Sequence, residues 1–133
     1  MYEVTIRQDF SAAHTIMETG GVREKLHGHN FTVEVSVCSD ILGETGILID
    51  FRVLRAWTDE ILKEFDHKYL NDVDYFKSAS PSSENIARYI FGRMREKAKE
   101  KNLSVSRVTV WESGDASATY FGNSNERRSK AKR

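Results

Sequence analysis

Residues 27–38, which read HGHNFTVEVSVC, show the clearest structural pattern in the chain. From Phe31 to Val37 every second side chain is apolar. Alternation with a period of two indicates a strand that buries one face. Residues 2–14 show the same alternation, so we predict two long strands that follow each other along the chain.

The middle of the chain changes to a helical period. Asp50 is suited to cap a helix that extends to Phe65, because apolar residues follow it at steps of three or four. A second helix is predicted to begin at Pro81, with Ser80 as its N-cap, because proline is favoured at the first helical position. We expect this helix to end near Asn102.

Alternation returns over residues 103–112, and residues 118–121 follow a turn as a closing strand. The order ββααββ predicts an α+β fold, with an antiparallel four-stranded sheet and two helices on one face. Such a sheet has two open edges, and we expect copies of the chain to assemble through them.

Length and composition set the class of protein. The chain has 133 residues, which predicts one domain, and its 39% hydrophobic side chains are enough for a core. No apolar run approaches the ~20 residues that a membrane helix needs. The start of the chain lacks the basic-then-apolar pattern of a signal peptide. The single cysteine, Cys38, excludes an internal disulfide and favours the cytoplasm.

Charge is distributed unevenly, although basic and acidic side chains both number 20. Residues 127–133 carry five basic side chains and no acid, which leaves 15 basic against 20 acidic residues elsewhere. We predict a folded domain over residues 1–122 and a basic, flexible tail over residues 123–133. An arm that contacts an anionic partner is the alternative. The neutral total gives no reason to expect a nucleic-acid partner.

His27 and His29 are two residues apart on the second predicted strand, so their side chains point to the same face. Paired imidazoles on a rigid backbone suit Zn²⁺, and a polar turn with two exposed histidines is an equally good alternative. His14, at the end of the neighbouring strand, is the natural third ligand. Three histidines and an open position are typical of a catalytic zinc.

Two further positions carry ionisable groups at the ends of predicted elements. His67 follows Asp66, and an adjacent carboxylate can orient an imidazole for acid–base work. The alternative, which the residues alone favour, is a histidine that interacts with the helix dipole. Glu112 ends the third long strand, as either a solvated charge or a buried carboxylate with a donor-rich partner.

Several short motifs follow one another in a specific order: FSAAH at 10–14, LHGHNF at 26–31, GILIDF at 46–51, DHKYLN at 66–71, PSSEN at 81–85 and VTVWE at 108–112. The ordered set resembles the 6-pyruvoyl-tetrahydropterin synthase family, which includes the 6-carboxy-tetrahydropterin synthases of queuosine biosynthesis. The resemblance covers residues 2–121.

The resemblance implies the tunnelling fold (T-fold), in which ββααββ subunits join edge to edge into a barrel, usually as a hexamer of two trimers. It also implies a dihydropterin triphosphate substrate bound between subunits. Asp66 and His67 match the catalytic pair of the family, and Glu112 matches the carboxylate that anchors the pterin ring. The implied ligands of Zn²⁺ are His14, His27 and His29.

One position departs from the family pattern. Many members carry a catalytic cysteine four residues before the first histidine of H-G-H, where this chain has Arg23. Cys38 lies too far along the second strand to replace it, and we predict a small core or edge residue. Glu24 resembles the glutamate of a subgroup that forms 6-hydroxymethyl-dihydropterin. We therefore predict Glu24 as the catalytic base, and a simple loop charge is the alternative.

The predicted function is that of a cytoplasmic, zinc-dependent lyase acting on 7,8-dihydroneopterin triphosphate. Its product is of the 6-hydroxymethyl or 6-pyruvoyl type, and the 6-carboxy-tetrahydropterin synthase reaction is the alternative within the class. A rival of another class is a non-catalytic pterin- or purine-binding protein, against which the presence of both Asp66 and His67 argues. The candidates for triphosphate binding are Lys25, Arg52 and Lys68.

Overall fold

A computed structural model describes residues 1–17, 20–22 and 24–123. The strands are β1 (Tyr2–His14), β2 (His27–Ser39), β3 (Lys68–Tyr69), β4 (Ser104–Ser113) and β5 (Ala116–Tyr120). The helices are α1 (Phe51–Leu62), α2 (Tyr75–Ser78) and α3 (Ser83–Lys99), with a short 3₁₀ turn at Leu70–Asp72.

The sheet has five strands in the order β3-β1-β2-β4-β5. Neighbouring strands are antiparallel except β3, which pairs in parallel with Ala12 and Ala13 of β1. The predicted four-stranded antiparallel sheet is therefore wrong by one strand, because a strand of two residues is too short to show alternation. The α+β class and the order of the long elements are confirmed.

The pairing of β1 with β2 places the core side chains in one layer. Phe10 lies opposite Phe31, with ring centroids 4.9 Å apart, and His14 lies opposite His27. The helices cover this face of the sheet. Fully buried side chains come from both layers, namely Phe31, Val33, Val35, Leu54, Phe65, Ile86, Ile90 and Met94. Apolar burial at ~25 cal/mol per Å² is the main stabilising term in such a two-layer fold.

The opposite face of the sheet carries polar pairs. The hydroxyls of Thr5 and Ser36 lie 2.6 Å apart, and Ser11 Oγ donates a hydrogen bond of 2.6 Å to Asn30 Oδ1. Because successive side chains of a strand point to opposite faces, this surface is distinct from the core face.

Helix α1 begins at the predicted place because Asp50 caps it. The carboxylate of Asp50 accepts a hydrogen bond of 2.8 Å from the backbone N–H of Arg52. The helix ends at Leu62, earlier than the predicted Phe65, and a turn carries the chain to His67. His67 has a left-handed backbone with φ of 58°, which a non-glycine residue rarely adopts.

Helix α3 begins at Ser83, so the predicted start at Pro81 is wrong by two residues. The cap is Ser82, whose Oγ accepts a hydrogen bond of 3.1 Å from Asn85 N, whereas the prediction assigned this role to Ser80. The structure therefore leaves the peptide carbonyl of Pro81 outside the helix, where it accepts a side-chain hydrogen bond described below.

The C-terminal part of the described chain consists of the end of α3 and the strands β4 and β5. Helix α3 ends at Lys99, three residues before the predicted Asn102, whose left-handed φ of 56° terminates the turn that follows the helix. β4 and β5 then pair as a hairpin. Residues 124–133, which hold the basic cluster of the predicted tail, lie outside the described residues. Within the described ranges, no helix has the length and apolarity to cross a membrane.

Candidate metal centre and active site

Three histidines converge at the end of the β1–β2 pair, on the core face of the sheet. His14 is the last residue of β1, and His27 and His29 open β2. One ring nitrogen of each lies within 4.8 Å of the others. His14 is fully buried, and the other two are partly exposed. The structure therefore brings together all three predicted metal ligands.

Backbone carbonyls set the tautomers of two of these rings. His14 Nδ1 lies 2.8 Å from Pro81 O, and His27 Nδ1 lies 2.8 Å from Lys25 O. A carbonyl oxygen only accepts hydrogen bonds, so each Nδ1 carries the proton and each Nε2 keeps its lone pair. Anchoring one ring nitrogen in this way is the usual arrangement of a metal-binding histidine.

Two ring nitrogens of the cluster have no hydrogen-bonding partner in the described part of the chain. His14 Nε2 and His29 Nε2 are buried and form no hydrogen bond. Burial lowers the pKa of His29 below its ordinary value, which favours the neutral imidazole that binds metals. Buried, unsatisfied polar atoms are unfavourable unless something else binds them. The donor set therefore fits a Zn²⁺ ion held by three imidazoles.

Two carboxylates stand beside this histidine cluster. Glu112 Oε1 lies 3.2 Å from His14 Nε2 and 3.9 Å from His29 Nε2. Glu24 Oε1 lies 3.8 Å from His27 Nε2. The structure thus places both predicted glutamates next to the cluster, and Glu112 is half-buried, with 34% of its side chain exposed.

The backbone of Ile16 holds Glu24 in place. Ile16 N donates a hydrogen bond of 3.1 Å to Glu24 Oε1, and Glu24 N donates one of 3.0 Å to Ile16 O. These two bonds tie the loop before β2 to the chain that leaves β1. A carboxylate with one oxygen bound to a backbone amide has a defined orientation, which suits a proton acceptor.

Asp66 and His67 occupy a different place. Asp66 Oδ1 accepts a hydrogen bond of 3.0 Å from Ser11 N, and His67 N donates one of 2.6 Å to Ser11 O. The ring of His67 is 81% exposed, and its Nδ1 lies 3.7 Å from Asp66 Oδ1. It lines a groove together with Ser11 and Asn30, whose side chains belong to the polar face of the sheet, and with His29 of the histidine cluster. Within the described ranges, no hydrogen bond, ion pair or ring contact joins His67 to the histidine cluster.

The candidate phosphate-binding residues differ in their surroundings. Arg52 is bound by Asp50, with Nη2 and Oδ2 2.7 Å apart. Lys68 lines the groove beside His67. The carbonyl of Lys25 holds the ring of His27. Cys38 is buried near the far end of β2, as predicted.

Two residues of the site were missed by sequence reasoning. Pro81 O fixes the ring of His14, and the side-chain amide of Asn71 contacts the backbone of Thr15 directly after His14. Both residues fall inside the quoted motifs, so the order of the motifs was a signal for them. Their partners are backbone groups distant in the chain, which residue types alone do not identify.

Comparison with known proteins identifies the family of the chain. The family model for 6-pyruvoyl tetrahydropterin synthase matches residues 3–123. A 6-carboxy-5,6,7,8-tetrahydropterin synthase of Synechocystis sp. is 39% identical over 117 residues, which covers 84% of this chain and 87% of that protein. A dihydroneopterin monophosphate aldolase of Pyrococcus furiosus is 34% identical over 112 residues, with 84% and 90% covered.

A solved structure of 6-pyruvoyltetrahydropterin synthase from Plasmodium vivax has the same fold, with a TM-score of 0.73 and 25% identity. The match covers 92% of this chain and 98% of that chain, and in that form alanine replaces a catalytic glutamate. From the family match, the relatives and the shared T-fold, we conclude that this chain belongs to the 6-pyruvoyl tetrahydropterin synthase family and is a lyase of that type.

Proposed function

We propose that the protein is a zinc-dependent lyase that cleaves the side chain of 7,8-dihydroneopterin triphosphate and releases 6-hydroxymethyl-7,8-dihydropterin. The observation that carries the proposal is the carboxylate of Glu24 beside the three imidazoles, with Oε1 3.8 Å from His27 Nε2. A carboxylate suits removal of a hydroxyl proton, which is the demand of a retro-aldol cleavage.

The ligands of the zinc are His14, His27 and His29. When bound, Zn²⁺ supplies Lewis acidity to the hydroxylated side chain of the substrate. Support for this assignment comes from the Nε2 atoms of His14 and His29, which are buried and form no hydrogen bond.

The residues of the chain account for the proton transfers. Glu24 accepts the proton of the side-chain hydroxyl at C2′, the C1′–C2′ bond breaks, and C2′ becomes an aldehyde. The electron pair stays on C1′, in conjugation with the pterin ring, and His67 delivers a proton to that carbon. Asp66 then assists in restoring the proton on His67. No oxidant or reductant is needed.

Glu112 is proposed to anchor the pterin ring. A pterin presents a ring N–H beside an exocyclic amino group, and one carboxylate accepts hydrogen bonds from both. The position of Glu112 beside the histidine cluster, 3.2 Å from His14 Nε2, supports an anchor close to the reacting side chain.

We further propose a cytoplasmic homo-oligomer, a hexamer built from two trimers. Two observations support assembly. β5 is an edge strand of the sheet, and the ring of His67 is 81% exposed in a groove that also reaches His29, so it is accessible to a neighbouring chain. A second subunit would then supply Asp66 and His67 to the cluster and Glu24 of the first.

The 6-carboxy-tetrahydropterin synthase reaction is the second candidate, since the relative from Synechocystis carries that name at 39% identity. Product analysis separates the two. Purified zinc-loaded protein is incubated with 7,8-dihydroneopterin triphosphate, and separately with the monophosphate that the Pyrococcus relative is named for. We expect 6-hydroxymethyl-7,8-dihydropterin by mass spectrometry, and a 6-carboxy or 6-pyruvoyl product would overturn the proposal. Binding of either pterin without turnover would favour the non-catalytic rival.

The role of Glu24 is tested by Glu24→Gln, which keeps the size of the side chain and removes its basicity. We expect turnover to fall by about 10²–10⁴-fold, with zinc content unchanged. Glu44→Gln is the matched control, because Glu44 is an exposed turn residue. Equal turnover of the Glu24 and Glu44 variants would rule out the base assignment.

A further inference from the structure

A network of hydrogen bonds joins the segment 66–71 to the last residues of β1. At its start, Asp66 Oδ1 and His67 N bind the backbone N–H and carbonyl of Ser11. The two residues of β3 then pair with Ala12 and Ala13. The segment that carries the acid–base pair therefore runs along the strand that carries His14.

Asn71 closes this network with both atoms of its side-chain amide. Thr15 N donates a hydrogen bond of 2.9 Å to Asn71 Oδ1, and Asn71 Nδ2 donates one of 3.0 Å to Thr15 O. β1 ends at His14, so Thr15 lies beyond the last strand pair. The amide of Asn71 satisfies both backbone groups of Thr15, as a neighbouring strand would.

His14 is consequently held from two sides. Its ring is anchored through Nδ1 to Pro81 O at 2.8 Å, and the peptide that follows it is anchored by Asn71. Both constraints are needed to aim Nε2, because a ring fixed to a mobile backbone still moves. Groups that orient metal ligands typically change metal affinity 10–100-fold when removed.

We propose that Asn71 is a positioning residue of the metal centre, whose amide fixes the backbone of Thr15 and thereby directs His14 Nε2 toward the nitrogens of His27 and His29. The proposal rests on the proposed function only in taking Zn²⁺ as the ion that these histidines bind. The same side chain also fixes the end of the segment that carries Asp66 and His67, so one residue sets the position of both parts of the site.

The test measures Zn²⁺ affinity of the full chain by competition with a chromophoric chelator, with no substrate present. We expect Asn71→Ala to bind Zn²⁺ about 10–100-fold more weakly than the unmodified protein. The matched control is Asn102→Ala. It makes the same truncation at the left-handed turn after α3 and lowers the thermal midpoint, but we expect its zinc affinity to stay within about twofold.

A second variant covers the case in which Asn71→Ala does not fold. Asn71→Asp keeps the acceptor for Thr15 N and loses the donor to Thr15 O, so weaker zinc binding is again expected. Unchanged affinity in the folded Asn71 variants, or equal weakening in Asn102→Ala, overturns the proposal. If the unmodified protein itself binds no zinc, the metal dependence of the proposed function fails as well, which distinguishes the two failures.

Discussion

The histidine cluster and the Asp66–His67 turn are built in opposite ways. The cluster stands on two long paired strands, its first ring is fully buried, and backbone carbonyls hold two of its rings. His67 has an exposed ring and a left-handed backbone in the turn after α1. The cluster gathers its three imidazoles within one chain, whereas the ring of His67 points toward solvent.

Because of this difference, the two regions are suited to separate tasks. Metal binding needs several ligands at fixed separations, which paired strands provide because their backbones are rigid. Proton transfer needs one group that reaches a bound substrate, and an exposed ring on a strained turn is positioned to do so. Substitutions in the two regions should therefore have separable effects on zinc and on turnover.

The largest effect is expected for His14→Ala. This change removes a buried ligand and leaves two imidazoles, so zinc affinity should fall by at least about 100-fold, and turnover should be lost with it. Zinc content by mass spectrometry and turnover are measured on the same preparation. Full zinc content in His14→Ala would contradict the assignment of zinc to the histidine cluster, because the cluster would then not be the metal site.

An intermediate effect is expected for His67→Ala. Turnover should fall about 10²–10⁴-fold because a proton donor is lost, while zinc content stays unchanged because the ring does not contact the cluster in the described chain. A parallel loss of zinc would contradict the separation of the two regions.

Mixed oligomers test whether His67 acts on the histidine cluster of its own chain or of a second subunit. If His67 acts on the cluster of a second subunit, then equal parts of His67→Ala and Glu24→Gln chains, unfolded and refolded together, should recover about a quarter of the normal turnover by random pairing. If both groups act from one chain, the mixture stays inactive.

The smallest effect is expected for Tyr69→Phe. The hydroxyl of Tyr69 lies 3.3 Å from Thr15 Oγ1, a longer contact than either bond of Asn71 to the same residue. Its removal should lower the free energy of unfolding by about 0.5–1.5 kcal/mol, as measured by urea denaturation, and leave zinc affinity unaltered. A loss of zinc as large as that of Asn71→Ala would mean that the two contacts are equivalent.

The α+β class, the long strands and the shared face of His27 and His29 could be predicted from the amino-acid sequence. These features follow from local periodicity, because side chains two apart on a strand point the same way whatever surrounds them. The cap at Asp50 was predictable for the same reason, since its partner, Arg52 N, is two residues away.

The remaining features could not be predicted in this way, because each depends on contacts between groups distant in the chain. β3 is too short to have a period, and it exists through its pairing with β1. Pro81 O became the partner of His14 because Ser82, and not Ser80, caps α3. The amide of Asn71 reaches Thr15 across 56 positions. The exposed position of the His67 ring likewise depends on the hydrogen bonds of Asp66 and His67 to Ser11, which is distant in the chain.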